Sequence, residues 1–174
     1  MNYQNALKQS MEMLAEDEKR IFLGYNVARG SMAYGSLKNI PTEKLLETPC
    51  AENLMSDMAI GMSFAGFKPV LYFERHDFML NAMDSLVNYL DKLEEISDGQ
   101  FKPNVIVRAV IGGTKPFFPG PQHIQDLSDV FQKIFKFPVH RLYTPKEVIE
   151  RYKEASDYNK PVMLIETRDL YGRS

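Results

Sequence analysis

The sequence predicts an α/β fold, a doubly wound and mainly parallel six-stranded sheet with helices on both faces. Short apolar runs alternate with helically spaced apolar residues along the whole chain, which is the order of parallel strands joined by crossover helices. The runs are continuous instead of alternating with polar residues, as expected for strands covered on both faces. A single domain over residues 1–174 accommodates all of these segments.

Six apolar runs are the predicted strands. They are residues 20–24, 44–48, 69–73, 104–110, 139–143 and 161–166. Apolar residues at helical spacing predict the helices that flank them. These are residues 3–17, 54–65, 78–93, 127–135 and 145–158. The last helix has a strong start signal, because Thr144 can cap it, Pro145 suits its first position and Glu147 completes a capping box.

Two segments rich in Gly, Pro, Ser or Asn are the predicted loops. They are residues 25–41 and 111–125, and long loops in compact domains are often functional. The tail, residues 168–174, has no periodic pattern. On the second helix, Met55, Met58 and Met62 form an apolar face that we expect to be core in preference to a partner interface.

Composition excludes several classes of function. The net charge is −2 and neither sign forms a long block, so we expect no nucleic-acid or anionic-membrane partner. The apolar runs are far shorter than the ~20 residues of a membrane-spanning helix. The lone Cys50 cannot form an internal disulfide and the amino terminus lacks a signal-peptide layout, so we expect a cytoplasmic protein. Gly-rich phosphate loops, nucleophile elbows and Cys/His metal clusters are missing from the sequence.

Glu52 is the candidate catalytic residue. It follows an apolar run and Thr48-Pro49 and precedes the second helix, a strand–turn–helix arrangement at which open α/β sheets usually bind ligands. A structural interpretation is also open, because an acidic residue in a first helical turn gains roughly 0.3 to 1 kcal/mol from the helix dipole. Of the histidines, we expect His140 to be structural, whereas His76 at the end of the third strand could face a substrate.

Residues 48–73 resemble the pyrimidine-binding domain of thiamine diphosphate enzymes of the transketolase superfamily. The resemblance is closest to the β subunit of pyruvate and other 2-oxo acid dehydrogenases, and it consists of Thr-Pro-x-x-Glu, a glycine-containing helix, Gly-x-x-Pro before a strand and an aromatic-rich turn. Further matches cover nearly the whole chain. They are Phe78 with Ala82 and Asp84, Gln122-His123, Tyr143-Thr144-Pro145, residues 161–166 and Tyr171-Gly172.

The resemblance implies thiamine diphosphate as the cofactor and assigns roles to five residues. Glu52 would hydrogen-bond the pyrimidine ring and activate the cofactor's amino group. Phe78 aligns with the aromatic residue on the pyrimidine face, with a core residue as the alternative. Cys50 and Asn81 align with cofactor-pocket positions that usually carry other side chains. His123 matches a loop histidine that could bind substrate or shuttle protons, with a solvated loop residue as the alternative.

Three departures from the family pattern imply a partner chain. The Gly-Asp-Gly and distant Asn that hold magnesium and the diphosphate are missing, the chain stops at Ser174 before the usual third domain, and Tyr25-Asn26 replace the usual acidic residues. We therefore expect a diphosphate-binding subunit to supply magnesium and the rest of the site, in a dimer or heterotetramer. The chain itself carries no predicted metal ligands.

Three functions follow as hypotheses. The first is the pyrimidine-binding subunit of a split thiamine diphosphate enzyme, 2-oxo acid dehydrogenase-like or transketolase-like, that cleaves a bond next to a carbonyl of a 2-oxo acid or ketose. The second is a non-catalytic scaffold or regulatory relative, which the short length and the changes at Tyr25, Asn26 and Cys50 favour. The third is one half of a split 2-oxo acid decarboxylase.

Overall fold

The sheet has six strands that all run in the same direction. The computed structural model describes residues 1–115 and 118–172. Strands β1 to β6 are Arg20–Gly24, Leu45–Glu47, Lys68–Phe73, Ile106–Ile111, Val139–Arg141 and Val162–Thr167. They lie in the order β2-β1-β3-β4-β6-β5, and each pair of neighbours is parallel. The predicted fold class is therefore confirmed, with strand ends that differ by one or two residues.

Helices cover both faces of this sheet. They are α1 (Tyr3–Ala15), α2 (Glu52–Phe64), α3 (Leu93–Ile96), α4 (Ser128–Ile134) and α5 (Pro145–Asp157). Helices α1 and α5 pack on one face, where Leu7, Met11 and Tyr152 meet Phe22, Val70 and Leu164. Helices α2 and α4 pack on the other, where Met55, Ala59 and Phe131 meet Leu71, Val107 and Ile165. Burial of these two apolar layers supplies most of the driving force for folding.

Local sequence signals set where several helices begin. Thr144 accepts a hydrogen bond from the Glu147 amide at 3.1 Å, and the Glu147 carboxylate accepts one from the Thr144 amide at 3.0 Å, so the predicted capping box is present. Asn2 caps α1 in the same way through the Asn5 amide. Each such cap stabilises a helix by about 1 kcal/mol.

The prediction of one continuous α-helix over residues 78–93 is wrong. The chain forms a 3₁₀ helix at His76–Ala82, a π-helix at Ser85–Leu90 and then α3. The Asp91 amide donates to the Leu86 carbonyl, five residues back, as a π turn requires. Met79, Ala82, Leu86 and Leu90 are nevertheless buried. Apolar spacing predicted the buried side correctly, because spacings of three and four residues fit all three kinds of helix.

The first predicted loop is more deeply packed than its composition suggests. Val27, Ala33, Leu37 and Ile40 are buried in the core beside α1. The tail also contributes to the core, because Tyr171, after a short 3₁₀ turn at Arg168–Leu170, is only 2 % exposed. In the second predicted loop and in the tail, residues 116–117 and 173–174 lie outside the described residues.

The strand order places a crevice at the carboxyl ends of β1 and β3. From β1 the chain moves outward to β2, then returns across β1 to β3 and continues towards β4. Such a reversal of direction separates the connecting loops, and ligands of doubly wound proteins usually bind there. None of the helices within residues 1–115 and 118–172 has the length and apolar composition of a membrane-spanning segment.

Candidate functional site

Glu52 is held at this crevice by the turn between β2 and α2. The Thr48 amide donates to the Gly24 carbonyl at 3.0 Å, which extends the strand pairing, and the Ala51 amide donates to the Pro49 carbonyl at 2.8 Å. Helix α2 then begins at Glu52, whose exposed fraction is 9 %. The carboxylate thus lies almost buried at a helix amino terminus, where the helix dipole favours negative charge.

The contacts of this carboxylate are weak. Asn81 Nδ2 lies 3.4 Å from Glu52 Oε2, which is long for an N–H···O hydrogen bond, and the Cys50 thiol lies 3.4 Å from Oε1. A thiol is a poor donor. Among the residues that the structure describes, no cation forms an ion pair with Glu52. A nearly buried carboxylate with such partners has capacity for a stronger hydrogen-bond donor.

Cys50 acts here as a hydrogen-bond donor. Partial burial raises the pKa of its thiol, and so do the hydrogen bond to Glu52 and the negative charges of Glu52 and Glu74. A raised pKa keeps the thiol protonated at neutral pH and makes it a poor nucleophile. Cys50 can therefore stabilise the Glu52 carboxylate, although much of the residue is exposed.

Phe78 and His123, two further predicted site residues, contact each other. Their ring centroids are 5.3 Å apart at an interplanar angle of 79°, an edge-to-face arrangement. His123 ends a 3₁₀ turn in the second loop, and its carbonyl lies over Gly112. A Cβ atom at Gly112 would lie 1.7 Å from that oxygen, so only glycine permits this approach.

The five predicted site residues therefore lie in two contacting groups that share one helix. Glu52, Cys50 and Asn81 form the first group, and Phe78 and His123 form the second. Phe78 and Asn81 are three residues apart in the same 3₁₀ helix, and that spacing stacks side chains on one side. Their roles stay predictions.

His76 does not face an open pocket. It is fully buried, its ring meets the Phe131 ring edge-on at 4.8 Å, and its Nδ1 accepts a hydrogen bond from the Leu127 amide at 3.3 Å. Burial lowers its pKa to about 4, although Asp126 and Asp77 act in the opposite direction. His140 is half-buried in β5, and burial lowers its pKa as well.

Two carboxylates that the sequence analysis did not single out shape the first loop. Glu47 accepts hydrogen bonds from the amides of residues 26–29 at 2.7 to 3.2 Å. Glu74 accepts from Asn26 Nδ2 at 2.7 Å and from Ser31 Oγ at 3.2 Å. These residues end or follow β2 and β3, which pair with β1 on either side. The sequence signal that could have identified Glu47 and Glu74 is their position, at or directly after the end of an apolar strand.

The Met-rich face of α2 is largely core. Met55 is 2 % exposed within the cluster beneath α2, and Met58 and Met62 pack against the same cluster while partly exposed. In the described part of the chain, no three His, Cys, Asp or Glu side chains are grouped as metal ligands.

This geometry defines a class of protein. It is a doubly wound parallel sheet with a nearly buried glutamate after β2 whose carboxylate contacts an amide and a thiol donor. The Glu52 carboxylate has capacity to accept from the polar edge of a ligand such as an aminopyrimidine.

The chain belongs to the family described as "Transketolase, pyrimidine binding domain", which matches residues 1–173. It is 28 % identical over 174 residues to the "Pyruvate dehydrogenase E1 component subunit beta" of Rickettsia bellii, covering 97 % of this chain and 53 % of the relative. It is 29 % identical over 179 residues to the mitochondrial subunit of that name from Saccharomyces cerevisiae, covering 100 % of this chain and 48 % of the relative. The chain thus spans about half the length of these relatives.

A solved structure shows the same fold. The "Split gene transketolase, inactive beta4 tetramer" superposes with a TM-score of 0.71 over 95 % of this chain and 49 % of that one, at 20 % sequence identity. At this level of identity the likeness concerns the fold alone.

Proposed function

We propose that this chain is the pyrimidine-binding subunit of a thiamine diphosphate-dependent enzyme whose diphosphate-binding half is a separate chain. The observation that carries the proposal is Glu52, a nearly buried carboxylate at the switch-point crevice with only a long amide contact and a thiol as partners. Family membership over residues 1–173 supports the same assignment.

The chain's own residues bind and orient one half of the cofactor. Glu52 accepts a hydrogen bond from the pyrimidine ring and holds the proton there, Cys50 and Asn81 stabilise its carboxylate, and Phe78 packs on the ring face. When bound, thiamine diphosphate supplies a nucleophilic carbon that attacks a substrate carbonyl, so that the adjacent carbon–carbon bond can break. His123, on the loop beside Phe78, is placed to contact the substrate or exchange a proton with it.

The rest of the site belongs to a partner. In this proposal a diphosphate-binding subunit holds magnesium and the diphosphate, in a dimer or heterotetramer. The similarity of this chain to pyruvate dehydrogenase E1 β subunits favours a 2-oxo acid as substrate over a ketose.

Reconstitution with the partner tests the role of Glu52. The partner to use is a diphosphate-binding chain chosen because it carries Gly-Asp-Gly and a downstream Asn. Glu52→Gln should abolish turnover of 2-oxo acids, because the amide cannot take up the pyrimidine proton. Glu43→Gln, at an exposed glutamate of a 3₁₀ turn, is the control and should keep full activity. Unchanged turnover in the Glu52→Gln complex would refute the proposal.

The other functions predict different outcomes of the same experiment. A scaffold or regulatory relative would form the complex without turnover in either variant. A split decarboxylase would release carbon dioxide and an aldehyde from the 2-oxo acid with no electron acceptor, whereas a dehydrogenase-type subunit would require an acceptor.

A further inference from the structure

We infer that His76 and Asp77 are positioning residues that hold the His123 loop against Phe78. The inference rests on the proposed function, because it deepens the account of the same site. Neither side chain reaches Glu52 or its partners in the described structure. They act on the site through the backbone that carries His123.

Asp77 binds the segment just beyond His123. Its Oδ1 accepts hydrogen bonds from the Gln125 amide at 3.1 Å and from the Gln125 side-chain nitrogen at 2.9 Å. Asp77 is only 6 % exposed whereas Gln125 is exposed, so these bonds are partly shielded from competing water. A charged acceptor in such a setting makes stronger hydrogen bonds than a neutral one.

His76 binds the same segment two residues further along. Its Nδ1 accepts from the Leu127 amide at 3.3 Å, and the whole residue is buried against Phe131. The Leu127 bond requires Nδ1 to be unprotonated, so the neutral ring carries its proton on Nε2. The titratable and charged groups that face His76 are Asp77, Asp126 and Arg141.

The positions of these bonds explain why they orient the two rings. His76 and Asp77 directly precede Phe78, and their partners follow His123 by two and four residues. Gly112 also contacts the loop, because the His123 carbonyl packs closely against its Cα. The loop is therefore fixed at the His123 carbonyl and on the carboxyl-terminal side of His123, and the edge-to-face contact at 5.3 Å results.

A measurement on the chain without cofactor or partner tests this positioning. We would compare Asp77→Leu, which removes the acceptor at similar size, with Asp77→Asn, which keeps an oxygen acceptor. The readouts are the His123 ring proton shifts, which report the Phe78 ring current, and the exchange rates of the Gln125 and Leu127 amides. Asp129→Leu is the control, because Asp129 is an exposed acidic residue of α4.

We expect Asp77→Leu to change both readouts and the other two variants to leave them unchanged. Asp77→Leu should move the His123 shifts to those of a Phe78→Leu chain and speed exchange of the two amides about tenfold, as loss of one charge-assisted hydrogen bond implies. Asp77→Asn and Asp129→Leu should keep both readouts. Unchanged shifts and exchange in Asp77→Leu would overturn the inference.

A second variant and an activity arm complete the test. If Asp77→Leu fails to fold, His76→Phe replaces it, because this change removes the acceptor of the Leu127 amide and keeps the apolar surround. It should speed hydrogen exchange at the Gln125 and Leu127 amides. Unchanged protection of those amides in His76→Phe would overturn the inference. In the reconstituted complex, Asp77→Leu should lower kcat by about tenfold or more while the KM for cofactor stays within twofold. If the amides exchange faster in Asp77→Leu while the Glu52→Gln complex keeps full activity, the proposed function is refuted and the positioning inference stands.

Discussion

Arg108 and Glu166 form a two-pronged ion pair in the interior of the protein. Arg108 Nε and Nη2 donate to the two carboxylate oxygens at 2.7 and 2.9 Å, and both side chains are at most 1 % exposed. The hydroxyls of Tyr152 and Tyr171 donate to the same carboxylate. Burial and the charge of Glu166 raise the pKa of both tyrosines, so the hydroxyls stay protonated. This cluster joins β4, β6, α5 and the tail.

Removing one member of this pair should destabilise the chain strongly. Glu166→Gln leaves the Arg108 charge buried without its counter-ion, and breaking a buried pair costs about 3 to 5 kcal/mol. The free energy of unfolding from denaturant titration measures this loss. Glu95→Gln is the control, because its ion pair with Lys136 is solvent-exposed, and it should leave the midpoint nearly unchanged. Equal midpoints for the two variants would contradict the role of the cluster.

The first loop should loosen when Glu47 is replaced. Four consecutive backbone amides at residues 26–29 donate to its carboxylate, three of them partly buried, and each such hydrogen bond contributes about 0.5 to 1.5 kcal/mol. In Glu47→Ala, hydrogen exchange at these amides should accelerate by tenfold or more. Glu43→Ala, four residues earlier and exposed, should not change it. Unchanged protection of these amides in the Glu47→Ala chain would show that the Glu47 carboxylate does not stabilise the loop.

Stability should fall at mildly acidic pH because of His76. Burial lowers its pKa from 6.5 to about 4, so the unfolded chain binds the proton more readily than the folded one. The contribution is full above pH 6.5 and is lost as pH falls through about 4, for a total of roughly 3 kcal/mol. Unfolding titrations between pH 4 and 7 should therefore show a shallower pH dependence in His76→Phe than in the natural sequence. His140→Asn should retain most of the slope, since His140 is half-buried; parallel curves for His76→Phe would refute this assignment.

Two glycines should respond oppositely to alanine. A Cβ at Gly112 would lie 1.7 Å from the His123 carbonyl oxygen, whereas a Cβ at Gly61 in α2 would meet no atom within 4 Å. Gly112→Ala should displace the second loop and destabilise the chain. Gly61→Ala should stabilise it by about 0.5 to 1 kcal/mol through helix propensity. Thermal unfolding of both variants checks the pair, and a neutral Gly112→Ala would contradict the close approach of the loop.

Much of the fold could be predicted because local signals and burial agree. The continuous apolar runs predicted all six strands, and the Thr144 capping box predicted the start of α5. The winding of residues 76–90 could not be predicted, because apolar spacing does not distinguish a 3₁₀ or π turn from an α turn. Burial of Tyr171 was missed since a single aromatic residue in a tail has no period, and its partner Glu166 lies across the core.

The site was only partly accessible from the sequence. Glu52, Phe78 and His123 matched a family pattern, and the structure brings Glu52 together with Cys50 and Asn81, and Phe78 together with His123. Asp77 and Glu47 were missed because their acceptor roles depend on amides 48 and about 20 residues away. Only the packing of strands and loops shows which backbone donors lie within reach of a carboxylate.

Calorimetric titration with thiamine diphosphate and magnesium tests the central claim most directly. The titration is made into this chain alone, into the Gly-Asp-Gly partner alone and into their mixture, with Glu52→Gln in a parallel mixture. We expect saturable heat for the natural mixture and at least tenfold weaker binding for each chain alone, because each holds half of the site. A formed complex that gives no heat, or a partner that binds equally well without this chain, would contradict the claim that Glu52 completes a shared cofactor site.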